Sequence, residues 1–193
     1  MRMANMTDKV KGLMISAPRK SSGKTTFTLG LTSALKGLKK TVRVFKKGPD
    51  YIDPMWHKVA SGQTCYNIDP YWMDDQQCRT AFLSRTKGSD LCLVEGNHGL
   101  HDGLDLQGNN SGAALAKLLE IPVLLVVDGS GMNRGVAALV LGHQQLDPDV
   151  HIGGIVLNNV ASQRQADKQR AAIEHFCGIP VVGALPRNRD VGI

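Results

Sequence analysis

Short apolar runs alternate along this chain with segments of helical spacing, and this alternation constrains the fold more than any other feature. The runs at residues 12–17, 41–46, 90–95, 122–128, 152–158 and 180–185 are predicted to be strands. Residues 24–36, 111–119, 134–145 and 163–176 have helical spacing. Several strands are apolar at nearly every position, which is typical of strands covered on both faces. The pattern predicts an α/β three-layer sandwich with a mostly parallel central sheet, whose ligands bind at the carboxyl ends of the strands.

The length and charge of the chain limit its number of domains and the kinds of ligand that it can bind. Its 193 residues suit one domain and would be cramped for two, so residues 1–193 are interpreted as a single domain. A net charge of +6 suits acidic ligands such as nucleotides or polycarboxylates, and we expect no nucleic-acid partner. No apolar run approaches the roughly 20 residues of a membrane helix, and no signal-length apolar stretch follows the charged amino terminus. We therefore expect a cytoplasmic protein without membrane contact.

The segment SAPRKSSGKTTFTLGL, residues 16–31, runs from the first predicted strand into the first predicted helix. Gly23, Lys24 and Thr25 match the end of the phosphate-loop motif G-x-x-x-x-G-K-[ST], whereas Pro18 stands in place of the first glycine. Lys24 would reach the outer phosphates of a nucleotide and Thr25 would hold Mg²⁺. The predicted nucleotide-binding residues of this loop are Ser21, Ser22, Gly23, Lys24, Thr25 and Thr26. The alternative is an ordinary helix start capped by Ser21 or Ser22.

Acidic residues follow two further predicted strands. FKKGPDYIDP, residues 45–54, carries Asp50 and Asp53, and VEGNHGLHDG, residues 94–103, carries Glu95 and Asp102. Both segments open onto the longest predicted loops, residues 47–76 and 96–110. Carboxylates that face a phosphate loop are suitable Mg²⁺ ligands. The alternative is that these acids are solvated loop charges or turn formers.

Four segments resemble one known family. APRKSSGKTT, FKKGPDYIDPMWHKVASGQTCYNIDP, VEGNHGLHDG and IVLNNV with the later PVVGALPR look like the amino-terminal synthetase domain of cobyrinate a,c-diamide synthase, a relative of dethiobiotin synthetase. The resemblance spans residues 12–187 and implies a P-loop NTPase-like fold. It also implies that ATP and Mg²⁺ activate peripheral carboxylates of a tetrapyrrole as acyl phosphates. Ammonia from glutamine then converts each acyl phosphate to an amide.

The resemblance implies a role for each candidate residue. It makes the catalytic set Lys24, Lys46, Asp50, Asp53, Glu95 and Asp102. Lys24 and Lys46 would neutralise charge on the transferring phosphoryl group. The implied Mg²⁺ ligands are Thr25, Asp50 and Glu95, and the residues implied to complete the nucleotide site are Asn158, Pro186 and Arg187. Asn158 matches an adenine-contacting asparagine of the family, and its alternative role is to turn the chain at a strand end.

Some residues depart from the family pattern. The loop at residues 95–103 is polar at Asn97, His98 and His101, where relatives usually have hydrophobic or aromatic residues. This difference makes sirohydrochlorin or sirohaem an alternative substrate to a corrinoid. His57, His98 and His101 lack the i, i+4 spacing of a helical metal pair, so we expect them to be solvated or to face the substrate.

The resemblance implies a carboxyl-terminal glutaminase domain, which we expect to be absent from these 193 residues. None of the four cysteines, Cys65, Cys78, Cys92 and Cys177, lies in a nucleophile-elbow motif. Ammonia would therefore come from solution or from a glutaminase domain or subunit, and a homodimer is a further possible assembly. Two other classes stay open: a partition-type ATPase switch, against which the run Arg19-Lys20-Ser21 argues, and a non-catalytic binding module.

Overall fold

The computed structural model describes residues 11–188, which contain one seven-stranded sheet. The strands are β1 (Gly12–Ser16), β2 (Val42–Lys47), β3 (Tyr66–Ile68), β4 (Leu91–Glu95), β5 (Val123–Asp128), β6 (Ile152–Val160) and β7 (Val181–Pro186). Their order across the sheet is β3-β2-β4-β1-β5-β6-β7, and every neighbouring pair is parallel. The expectation of a mostly parallel α/β sheet is confirmed. The expectation about a leader falls on residues 1–10, outside the described residues.

Within residues 11–188, six helices cover the two faces of the sheet. They are α1 (Lys24–Gly37), α2 (Ile52–Ser61), α3 (Asp75–Thr86), α4 (Gly112–Leu119), α5 (Gly135–Leu146) and α6 (Gln163–Cys177). Successive residues of a strand point to opposite faces, so Leu93 and Val94 of β4 belong to different hydrophobic clusters. The larger cluster includes residues of α3, α4, α5 and α6, and the smaller one packs against α1, which in turn contacts α2. The three-layer sandwich is confirmed.

Three elements lie where the sequence predicts none. Residues 47–76 are not one long loop, because they contain α2, β3 and the first two residues of α3. The apolar residues of α2 face solvent while His57 and Ser61 are buried, so an inward apolar stripe is missing from its sequence. β3 has only three residues, and α3 begins with a capping box between Asp74 and Gln77. Local contacts therefore stabilise β3 and α3: β3 pairs with β2 at the edge of the sheet, and the capping box stabilises the start of α3.

The carboxyl ends of β1, β2, β4 and β6 meet at one edge of the sheet. The loop from β1 to α1 crosses this edge, and the loop that follows β4 packs on it through a hydrogen bond from Leu100 N to Ala17 O of 2.7 Å. This edge holds the predicted site residues. Within residues 11–188, none of the helices combines the length and apolar character needed to cross a membrane.

Candidate active site

The phosphate loop leads into α1, and no side chain caps the N-terminus of this helix. Gly23 is the N-cap of α1 with φ 92°. The alternative in which Ser21 or Ser22 caps the helix is therefore wrong: Ser21 is exposed with φ 61°, and Ser22 Oγ donates to Arg19 O at 3.0 Å. Only glycine fits at position 23, because a Cβ there would collide with the side chain of Asn158. The N–H groups of the first helical turn are left available for an anion.

A pocket of about 810 Å³ opens in front of this helix N-terminus. Ten of the residues predicted for the site line it: Ser21, Gly23, Lys24, Thr25, Thr26, Lys46, Asp50, Asp53, Asn158 and Pro186. Four do not. Ser22 and Glu95 are buried, Asp102 lies on the loop after β4, and Arg187 lines an adjacent pocket of about 500 Å³ with Asp128 and Asn159.

Lys46 is the centre of a cluster of carboxylates beside the phosphate loop. Its Nζ donates to Asp53 Oδ2 at 2.6 Å and to Glu95 Oε1 at 2.7 Å, and lies 3.8 Å from Asp50 Oδ2. Thr25 Oγ1 donates to the same Glu95 oxygen at 2.7 Å and lies 3.3 Å from Asp53 Oδ2. Burial alone would lower the pKa of Lys46, but Glu95 and Asp53 raise it above its usual value. The ammonium therefore stays charged in the site.

Glu95 is the last residue of β4, as the predicted strand at residues 90–95 implies, and it is fully buried, so the alternative in which it is a solvated loop charge is wrong. Burial raises the pKa of its carboxyl group, but contacts with His57 and Lys46 outweigh burial and lower the pKa to about 2. His57 is also fully buried, and its Nε2 lies 2.8 Å from Glu95 Oε2. The expectation that His57 is solvated or substrate-facing is wrong. His57 is buried because it lies on the polar face of α2, which is turned inward.

Asp50 has a structural contact that its position in the sequence does not reveal. Its Oδ1 accepts hydrogen bonds from the N–H groups of Ile52 and Asp53 at 2.9 and 3.1 Å, so it holds the first turn of α2. Asn67 Nδ2 donates to the Asp50 carbonyl at 2.6 Å. The carboxylate that approaches Thr25 is that of Asp53, which lies in α2, and not that of Asp50. Asp50 therefore combines a folding role with its place in the pocket wall.

Asn158 and Asp102 occupy positions different from those expected. Asn158 lies inside β6, which continues to Val160, and its Nδ2 donates to Ser22 O at 3.0 Å. This hydrogen bond joins the sixth strand to the phosphate loop, so a turn-forming role for Asn158 is wrong. Asp102 is exposed and its Oδ2 accepts from Gly99 N at 2.9 Å, which stabilises the loop after β4. Burial lowers the pKa of Lys24, and the charge of Asp102 partly opposes that lowering.

The other two histidines of the predicted set lie on the loop after β4. His98 is exposed, as expected. His101 is half-buried, stacks on His143 of α5 with ring centroids 5.2 Å apart, and its Nε2 lies 2.9 Å from His143 O. The loop is therefore attached to α5 at this point.

Lys24 is buried at the base of the phosphate loop, where its Nζ donates to Arg19 O at 3.4 Å. Burial and the nearby Lys46 lower its pKa to about 8, against the opposing effects of Glu95, Asp102 and Asp53. This amine is thus partly neutral near pH 8. A bound phosphate would favour the charged form.

Binding of metal-free ATP is expected to take up a proton at Lys24 between pH 8 and 9.5. The terminal phosphate of ATP is already ionised in this range, whereas Lys24 is increasingly neutral above its pKa of about 8. The affinity should therefore fall as pH rises, by no more than about ten-fold per pH unit. Calorimetry in buffers of different ionisation enthalpy measures the uptake. Equal apparent enthalpies in all buffers at pH 8.5 would contradict this prediction.

The donors around Thr25 fit Mg²⁺. Hydroxyl and carboxylate oxygens are the ligands that Mg²⁺ prefers, and it usually takes one or two carboxylates together with phosphate oxygens. Thr25, Asp53 and Glu95 supply such oxygens next to the phosphate loop. Within residues 11–188, no group of three or more His, Cys, Asp or Glu side chains could hold a metal by itself.

The parallel sheet, the phosphate loop and the adjacent carboxylates define a P-loop nucleotide-binding domain. Residues 13–192 match the CobQ/CobB/MinD/ParA nucleotide binding domain, and the chain belongs to this family. Solved structures support the fold. The chain is similar to signal recognition particle 54 kDa protein from Aeropyrum pernix (TM-score 0.63, 17% identity, 94% of this chain and 43% of that one). It is also similar to hydrogenase maturation factor HypB from Archaeoglobus fulgidus (TM-score 0.59, 16% identity, 90% and 80%).

Curated relatives are much more similar in sequence. The chain is 50% identical to a cobyrinate a,c-diamide synthase of Magnetococcus marinus, over 97% of this chain and 40% of that protein. It is 48% identical to a hydrogenobyrinate a,c-diamide synthase of Brucella anthropi, over 95% of this chain and 42% of that protein. The predicted resemblance is confirmed. The chain spans about two fifths of the length of these relatives.

Proposed function

We propose that this domain carries the ATP- and Mg²⁺-dependent step in the amidation of tetrapyrrole carboxylates. The observation that supports this most is the cluster of Thr25, Lys46, Asp53 and Glu95, which lies against the phosphate loop. A nucleotide switch needs a phosphate loop, but a carboxylate kinase also needs fixed cations around the transferring phosphoryl group. The names of the relatives supply the substrate class.

The reaction has two steps. A substrate carboxylate oxygen attacks the terminal phosphorus of ATP, and the bond from that phosphorus to the ADP oxygen breaks. Ammonia then attacks the acyl carbon, inorganic phosphate leaves, and the nitrogen loses a proton to give the amide. A carboxylate without phosphorylation offers no adequate leaving group, so the first step makes the second possible.

The residues of this chain act mainly on the first step. Lys24 would bind the outer phosphates, and Lys46 would neutralise the charge that spreads over the transferring group. Thr25, with Glu95 or Asp53, would hold Mg²⁺, which would neutralise charge on the phosphate oxygens. Asp53 and Glu95 would also hold the Lys46 ammonium in place. Asn158 and Pro186 line the pocket further along the sheet edge and would contact the base, next to Arg187.

A corrinoid acid is the substrate that we propose first. Both relatives are named for cobyrinate or hydrogenobyrinate, and this favours a corrinoid over sirohydrochlorin or sirohaem. The polar loop with Asn97 and His98 is where the alternative would be recognised, since Asn97 lines the pocket. A substrate panel must include both classes.

Release of ADP tests the phosphoryl-transfer proposal directly. The chain is incubated with ATP, Mg²⁺ and a tetrapyrrole acid, with a fully esterified form of the same tetrapyrrole as the matched control. We expect ADP release to increase with the acid only, because an ester has no carboxylate oxygen to phosphorylate. Equal rates with acid, ester and no addition would indicate a switch or a binding module.

Ammonia use gives a second expected result. Burial raises the pKa of all four cysteines, that of Cys65 to about 12 and that of Cys92 to about 11, so none is a ready thiolate nucleophile. We therefore expect these 193 residues to form amides with ammonium at high pH, where more NH₃ is present, and not with glutamine. Addition of a glutaminase domain should restore glutamine use. Glutamine-dependent amidation by the isolated chain, with contaminating glutaminase excluded, would contradict this expectation.

A further inference from the structure

Helix α2 has its polar face turned inward and its apolar face turned outward. His57 is 0% exposed, whereas Ile52, Met55, Trp56 and Val59 are all more than half exposed. Burial of large apolar side chains is the usual reason why a surface helix packs on a sheet. That reason does not apply here. The inward face of α2 is instead fixed by polar contacts at the site.

His57 makes its polar contact with one partner, Glu95. The ring Nε2 lies 2.8 Å from Glu95 Oε2, and both side chains are fully buried. Neither atom has another polar partner among the described residues. Each buried group therefore depends on the other for compensation of its lost hydration.

The two oxygens of Glu95 have different neighbours. Oε1 accepts from Thr25 and Lys46 at 2.7 Å each, on the side of the phosphate loop. Oε2 faces His57 on the side of α2. The terminal torsion of a glutamate is broad, so the carboxylate plane is not fixed by the backbone alone. A neighbour on Oε2 fixes the direction of Oε1.

We propose that His57 is a positioning residue that orients Glu95 toward Thr25 and the metal-nucleotide site. This inference rests on the proposed function only in taking that site as one for metal and nucleotide. α2 brings two groups to the site from one face, because Asp53 and His57 are four residues apart. Asp53 contacts Lys46 directly, and His57 acts through Glu95. Partners behind metal ligands typically change metal affinity by about 10–100-fold when removed.

The test measures Mn²⁺ binding by electron paramagnetic resonance in the presence of a non-hydrolysable ATP analogue. His57→Leu removes the ring N–H and keeps most of the volume, and His57→Gln keeps an amide N–H at a similar reach. We expect Mn²⁺ affinity to fall about ten-fold or more in His57→Leu and to stay close to wild type in His57→Gln. A folded His57→Leu variant that binds Mn²⁺ like the wild type would overturn the proposal.

A second pair covers the case in which His57→Leu does not fold. His57→Asn carries the same amide as His57→Gln on a side chain one methylene shorter, which cannot reach Glu95. The proposal expects weak Mn²⁺ binding for Asn and near wild-type binding for Gln. Equal affinities in this pair would overturn it, as would a wild-type chain that binds no Mn²⁺ with the nucleotide.

A control on the same helix separates positioning from general loosening of α2. Ser61 is buried on the same face, but its Oγ contacts only backbone oxygens of His57 and Gln63 and the N–H of Gln63. Ser61→Ala should lower the melting temperature without changing Mn²⁺ affinity. Equal losses of Mn²⁺ affinity in Ser61→Ala and His57→Leu would show a merely structural role. These Mn²⁺-binding assays contain no tetrapyrrole, so their results can be interpreted even if the amidation proposal fails.

Discussion

Replacement of Glu95 by Gln is expected to lower tetrapyrrole-dependent ADP release by about a thousand-fold, because preorganised charge at the transferring phosphoryl group is the main catalytic term. The substitution keeps the shape of the side chain and removes the charge that holds Lys46 and faces Thr25. It also leaves a buried lysine with one carboxylate fewer. The free energy of unfolding should fall by about 3 kcal/mol, the usual cost of breaking a buried ion pair. Steady-state kinetics and denaturant unfolding measure the two effects.

Glu120→Gln is the matched control for this prediction. Glu120 is an exposed glutamate that pairs weakly with Arg79 far from the site, and its substitution should change neither rate nor stability measurably. A folded Glu95→Gln variant with a rate within ten-fold of wild type would show that Glu95 takes no part in phosphoryl transfer.

The stability effect of Glu95 should depend on pH with a definite sign. The pKa of Glu95 is about 2 in the folded chain and about 4.3 in an unfolded chain. A lowered folded-state pKa gives stabilisation that is present above the unfolded pKa and is lost as pH falls toward 2. The stability difference between wild type and Glu95→Gln should therefore shrink between pH 5 and 2 in the metal-free chain. A constant difference across this range would contradict the paired, charged state of Glu95.

Replacement of Lys24 by Ala is expected to weaken ATP binding by about 10–100-fold, the value of a hydrogen bond between charged groups. Lys24 lies at the base of the phosphate loop and lines the pocket. Calorimetry measures the affinity with and without Mg²⁺. Lys36→Ala, at the far end of the same helix, is the control and should bind ATP like the wild type. Equal binding by the wild type and Lys24→Ala would contradict a phosphate-loop role.

The sheet and the phosphate loop could be predicted because their signals are local and strong. Apolar runs such as residues 122–128 are typical of buried parallel strands, and Gly23-Lys24-Thr25 stands between a strand and a helix. The contact between Lys46 and Glu95 could also be predicted, since both lie at the carboxyl ends of parallel strands, which meet at one edge. These features follow from strand direction alone.

The role of α2 could not be predicted, because its inward face is polar. Sequence periodicity assigns apolar residues to the core, and here it would place Trp56 inside and His57 outside. The structure has the opposite arrangement. The hydrogen bonds of Asp50 could not be predicted either, because they are made with the first turn of α2, which the sequence does not predict. The signal that could have indicated His57 is its spacing of four residues from Asp53.

Mass spectrometry of amide formation is the most direct test of the proposed amidation. The chain is incubated with ATP, Mg²⁺, ammonium and a panel of corrinoid and sirohydrochlorin-type acids, beside a Lys24→Ala control. We expect a loss of about one mass unit for each carboxyl group converted to an amide, dependent on ATP and absent in the control, since phosphoryl transfer needs a bound nucleotide. Unchanged masses for every acid, with ATP bound and the chain folded, would contradict it.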